Sequence, residues 1–157
     1  MKKGIFLVCA VAVLVLGVSS IGSAQGGPVI EKIWVAPAVN YGKLLKIYIM
    51  AKDPEGDMRY IYISAAQGGG AVPIWIPKAS RGELNGYVYW DTNNAKMQNI
   101  SGTVQVSIED RKGNESQTMQ APAKIVPKGA KSAKAPAEFK EMAIGPVMLG
   151  TFRSQDE

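Results

Sequence analysis

The chain has 157 residues, 46% of them hydrophobic and 20% charged, and its 18 Lys+Arg outweigh 13 Asp+Glu for a formal charge of +5. That length fits one domain, and 17 Gly with 9 Pro point to many turns rather than long helices. With no histidine and a single cysteine, Cys9, the sequence excludes histidine triads, histidine metal sites, haem attachment, zinc ribbons and disulfides.

The first predicted element is a secretory signal peptide over 1–24. Lys2 and Lys3 supply a positive start, residues 5–18 an apolar run, and Gly22 and Ala24 the small residues of a cleavage site. An uncleaved anchor would prefer about 20 apolar residues. A lipoprotein would place its cysteine after the apolar run, whereas Cys9 interrupts it. Cleavage would leave 133 residues from Gln25 with a charge of +3, in the periplasm or secreted. No membrane span is expected after cleavage, and the charge is too small to indicate nucleic-acid binding.

From Gln25 onward, period-2 alternation recurs at intervals of about a dozen residues, the signature of an all-β sandwich or barrel. Short strands are predicted over 30–35 and 72–76. Strand 43–52 turns Leu45, Ile47, Ile49 and Ala51 inward, with Lys46 and Tyr48 toward solvent. Strand 59–65 turns Ile61 and Ile63 inward, and strand 85–91 opposes Val88 and Trp90 to Tyr87 and Tyr89. Strand 103–109 alternates most cleanly, with Val104, Val106 and Ile108 on one face. Pro122 cannot donate to a ladder, so strand 116–126 is expected at an edge. Asn40-Tyr41-Gly42, Asp53-Pro54-Glu55-Gly56-Asp57, Gln67-Gly68-Gly69-Gly70, Asn93-Asn94 and Arg111-Lys112-Gly113-Asn114 punctuate them. Seven strands in about 100 residues predict an antiparallel sandwich of two sheets over 25–127.

The stretch from Val106 to Ser116, with Asp110-Arg111-Lys112-Gly113-Asn114 at its turn, resembles the penultimate strand and final hairpin of bacterial immunoglobulin-like and fibronectin-III-like modules. Asp53-Pro54-Glu55-Gly56-Asp57 is similar to the turn after the second strand in bacterial Ig-like, PKD-type and cadherin-like modules. The resemblance covers about 29–126 and implies an Ig-like fold. The chain departs from antibody-type domains in having no cysteine pair between the sheets and no tryptophan on the third strand.

Residues 128–157 change texture. Lys128, Lys131 and Lys134 stand in a small, basic stretch expected to be a flexible linker that could touch anionic envelope polymers. Phe139, Met142, Ile144, Val147, Met148, Leu149 and Phe152 then form an apolar tail able to dock, on a partner or back over one tyrosine face of the sandwich.

Two groups of residues are candidate sites. Asp53, Glu55 and Asp57 lie within five residues, and an Ig-like topology would bring Asp110 and Asn114 to the same end, which makes an oxygen-ligand Ca²⁺ site. Asp-Pro and Gly-Asp also form turns without metal. The second group is aromatic. Tyr48, Tyr87 and Tyr89 are expected outward on one sheet, Tyr60 and Tyr62 outward on the other, and Trp75 between Pro73 and Pro77. Such residues serve protein interfaces or sugar platforms, although tyrosine is also simply common in strands. Together with Phe139, Met148 and Phe152 they are the expected partner-binding set. No phosphate loop, nucleophile elbow or zinc-protease motif occurs. The expected function is non-enzymatic: a binding or assembly module for an envelope or extracellular protein, with carbohydrate as the alternative ligand and calcium as the one candidate cofactor.

Overall fold

The computed structural model describes residues 26–65, 73–93, 99–131 and 133–148. The expected leader over 1–24, the glycine turn at 67–70 and Phe152 lie outside these residues. The described strands are β1 (Val29–Val35), β2 (Val39–Asn40), β3 (Leu44–Lys52), β4 (Met58–Ala65), β5 (Ile74–Trp75), β6 (Glu83–Asp91), β7 (Ile100–Asp110), β8 (Met119–Val126) and β9 (Ala143–Pro146), with a 3₁₀ turn at Lys78–Ser80. Among the described residues there is no α-helix, and none long and apolar enough to cross a membrane.

Two sheets face each other, one ordered β1-β3-β6-β9 and the other β2-β8-β7-β4-β5. Each long strand sends alternate side chains into the space between them. Leu45, Ile47, Ile49 and Ala51 of β3, with Leu84 and Val88 of β6, meet Ile61 and Ile63 of β4 and Val104, Val106 and Ile108 of β7. All are buried, each contributing about 1.5–3 kcal/mol if a large aliphatic residue.

Two inward residues fall out of phase with their strands, and a bulge corrects each. Ile30 and Ile33 both face the core because the β1–β3 register shifts between Ile30 and Lys32. Met58 joins Ile61 and Ile63 inside because the β4–β7 register shifts between Met58 and Tyr60. One extra residue flips the parity that strict alternation would impose.

The expected seven-stranded antiparallel sandwich is corrected to nine described strands in two mixed sheets. The long pairings are antiparallel, whereas β2 runs parallel to β8 and β9 parallel to β6. Strand β8 is not formally outermost, but β2 reaches only Ile125 and Val126, so Pro122 sits where no neighbour requires its missing donor.

The other addition comes from the segment expected to be a flexible tail. The Phe139 amide donates to the Pro136 carbonyl at 3.1 Å, and Phe139 itself is buried. The Tyr87 amide donates to the Met142 carbonyl at 2.8 Å, and the Val147 amide to the Tyr89 carbonyl at 2.7 Å. Strand β9 thus covers the edge of β6, while Val147 joins the core and Ile144 packs on it. Gly86 makes the approach possible, since a Cβ there would stand 2.6 Å from the Met142 carbonyl oxygen. A Cβ on Gly145 would stand 3.2 Å from Ile74 Cγ2, so β9 lies against β5 of the facing sheet and closes that side of the sandwich.

Candidate functional site

At one end of the sandwich, two turns repeat one local device. Asp53-Pro54-Glu55-Gly56 and Asp110-Arg111-Lys112-Gly113 share the spacing Asp-x-x-Gly, with the glycines at φ +72° and +83°. In each, the leading carboxylate accepts from amides of its own turn, as Asp does in Asx turns. Asp53 accepts from the amides of Glu55 (3.1 Å) and Asp57 (2.9 Å). Asp110, fully buried, accepts from the amides of Lys112 and Asn114 at 2.8 Å each and from Asn114 Nδ2 at 2.7 Å. Burial alone would push the Asp110 carboxyl up, but the bonds from Asn114, Lys112 and Gly113 hold it below its ordinary value.

The Arg111 amide donates to the Asp57 carbonyl at 3.2 Å, joining the turns. Glu55, Asp57 and Asp110 thereby place carboxylate oxygens within 4.8 Å of one another. Asp57 Oδ1 is buried with no hydrogen-bond partner. Burial, and then the neighbouring Asp53, Asp110 and Glu55 carboxyls, raise the Asp57 pKa. Lys112 Nζ pairs with Glu55. Of the five expected ligands, only these three place carboxylate oxygens this close together; Asp53 accepts from amides of its own turn, as Asp110 also does, and Asn114 donates to Asp110 through Nδ2. Arg59 does not neutralise Asp57, because its guanidinium lies 4.6 Å from the Tyr60 ring centre and 5.3 Å from that of Trp75.

The aromatic residues divide between the outer faces of the two sheets. On the first, Tyr48 packs against Trp34, Tyr87 and Phe139 at centroid distances of 5.6, 5.2 and 5.8 Å. Lys46 Nζ lies 4.3 Å from the Tyr87 ring centre. Glu141 of the tail accepts from Tyr48 Oη at 2.5 Å and pairs with Lys46 at 2.6 Å. Tyr48, expected to face solvent, is therefore only 3% exposed. Burial first, and then the bond to Glu141, push its hydroxyl pKa up. Phe139 is buried on Tyr48, the arrangement of a tail folded back over one tyrosine face rather than of a residue free to meet a partner. Tyr87 and Tyr89 are half-buried, while Met148 stays exposed beyond β9.

On the second sheet Trp75 stands open, while Tyr60 and Tyr62 are half-buried. Trp75 is 57% exposed and meets Tyr60 edge-on at 4.8 Å, and Tyr62 follows at 6.1 Å. Tyr62 Oη donates to Glu109 at 2.8 Å, which with burial pushes its pKa up to about 12. Beside them Ser64 donates to Gln105 at 3.1 Å and Ser107 to Glu115 at 2.8 Å. These polar side chains, with Thr118, line a shallow depression of about 270 Å³ next to Tyr62.

Several participants escaped the sequence reading. Trp34 looked like an ordinary strand position, Arg59 like a local partner for Asp57 rather than for two rings, and Glu138 and Glu141 find their lysines 106 and 95 residues away, a separation at which local spacing carries no signal.

No family model matches the chain, and neither does any curated protein. Among solved structures it is similar to the PKD domain of an M14-like peptidase from Thermoplasmatales archaeon SCGC AB-540-F20, with 19% identity over 64% of this chain and 96% of that one and a TM-score of 0.48. It is also similar to a Niemann-Pick type C2 protein from Japanese carpenter ant, with 13% identity over 67% of this chain and 96% of the other and a TM-score of 0.43.

Proposed function

We propose that this protein is a non-enzymatic, extracytoplasmic binding module that recognises an envelope or extracellular protein through the outer face of its second sheet. The observation that supports this reading is the exposed Trp75, with Arg59 and Tyr60 packed against it and Tyr62 beside them, on β4 and β5. Arginine, tyrosine and tryptophan dominate the energetics of protein interfaces, because each offers a rigid plane with a polar rim. On the first sheet, Tyr48 already serves the molecule's own tail through Phe139 and Glu141. Periplasmic or secreted placement rests on the leader-like segment at 1–24.

The row formed by Tyr62, Ser64, Gln105, Ser107, Glu109 and Glu115 favours carbohydrate as the second reading, because paired hydroxyl, amide and carboxylate groups beside ring faces suit a sugar. Calcium at Glu55, Asp57 and Asp110 would be structural in either case, supported by the unpartnered Asp57 oxygen.

Crosslinking of the purified protein to envelope extracts, read beside a glycan array, tests both. Specific protein adducts that fall at least tenfold in Trp75→Ala and in Arg59→Ala support the first reading. Adducts indifferent to both variants refute it, and glycan binding lost in Tyr62→Ala would replace it with the second.

A further inference from the structure

Between the sandwich and its tail lies a cavity that none of the roles above uses. The chain leaves β8, crosses the mouth of the first sheet and returns at Phe139. Asn40 fixes one end of this arch twice: Asn40 Nδ2 donates to the Ala130 carbonyl at 3.3 Å, and the Ala130 amide donates to Asn40 Oδ1 at 2.9 Å. The packing of Phe139 on Tyr48 and the bonds of Glu141 fix the other. The arch side chains facing the floor include Ala133, Ala135 and Ala137, which are too short to fill the space beneath, and a cavity of about 640 Å³ remains. That lies within the roughly 300–1,000 Å³ typical of small-molecule sites.

Its walls have one chemistry and its rim another. Trp34, Val39 and Leu44 form an apolar floor, and Leu44 is 47% exposed to the space above it. A side chain of that kind gains about 25 cal/mol for each Å² removed from water. At the rim stand Lys43, Lys131 and Lys134, none of which makes an ion pair among the described residues. Lys46 and Glu141, which also line the cavity, neutralise each other. The unbalanced charge is therefore positive and sits where a ligand's head would emerge.

We infer that the cavity under the arch binds a free single-chain carboxylate, its aliphatic body on Trp34, Val39 and Leu44 between the alanines and its carboxylate at Lys131 and Lys134. This site is separate from the second-sheet face and stands or falls without it. The apolar floor supplies affinity, and the lysines select an anion over a cation of equal length.

Calorimetric titration of the purified protein with dodecanoate, below its micellar concentration, tests the assignment. One saturable site is expected, weakened at least tenfold in Lys131→Ala/Lys134→Ala and unchanged in Lys124→Ala. Ala135→Trp, which fills the cavity from the exposed arch, should abolish binding at an unaltered melting temperature. Dodecyltrimethylammonium should not bind. The assignment is overturned if dodecanoate gives no saturable heat, if the cation binds equally well, or if the lysine and filling variants both bind as the parent does. Association only with phosphatidylglycerol vesicles, without uptake of free dodecanoate, overturns it equally.

Discussion

Around Asp57 three other carboxyls converge on an oxygen that nothing in the fold satisfies. A pKa raised in the folded state means that the folded protein favours the protonated form. Its contribution to stability is complete below the unfolded carboxyl value and is lost as pH rises through the raised one. In calcium-free buffer, Asp57→Asn should melt above the parent at about pH 7 by about 3 °C, the shift made by roughly 1 kcal/mol in a domain of this size. The gap should close toward about pH 4, as thermal melts followed by circular dichroism would record. Millimolar calcium should raise the parent's melting temperature and leave Asp57→Asn unchanged; equal behaviour of the two would remove the metal. Tyr62 offers a separate check. Absorbance titration should show a tyrosine ionising at about 12, and Glu109→Gln should return it toward about 10. The turn-forming character of Asp53 and Asp110 was legible in the sequence, since each precedes a glycine by three residues. Which carboxylate would be left without amide donors was not, because that depends on how two distant turns meet.

Strands β3, β4 and β7 were legible because each carries at least two inward aliphatics at period 2, and β6 because Val88 and Trp90 alternate with Tyr87 and Tyr89. Strand β2 is two residues long, and β9 contains Gly145-Pro146, so neither has a period to read. Both are fixed by what they lie against. For β9 the decisive contact is at Gly86, a position that resembles a weak point in a strand until the tail is seen across it. Gly86→Ala should therefore destabilise the protein by about 1–3 kcal/mol, the cost of forcing extra atoms into a packed site, and should speed limited proteolysis between 128 and 141. Unchanged cleavage and stability would mean that the tail does not bear on β6. Acid should loosen the same element. Glu141 is held below its ordinary pKa by Lys46 first and Tyr48 second, so its support is complete above the ordinary carboxyl value and fades as pH falls through the lowered one. Proteolysis of the tail should accelerate over that interval in the parent but not in Glu141→Gln.

Taken as a whole, the molecule is a sandwich whose first sheet needs its final strand. Removing residues 137–157 should lower the melting temperature by about 10 °C or more, since Phe139 and Val147 each contribute about 1.5–3 kcal/mol by burial. It should also bare the β6 edge, whose free amides and carbonyls template pairing between chains. Sedimentation should then show concentration-dependent association that the parent lacks. The order of synthesis gives this arrangement a temporal side. As the exported chain emerges beyond the membrane, the eight described strands before β9 can pair among themselves while one rim of the nascent sandwich stays unlatched. The latecomer segment acts as a clasp. A copy cut short before β9 would expose that rim to proteases and to pairing with its neighbours.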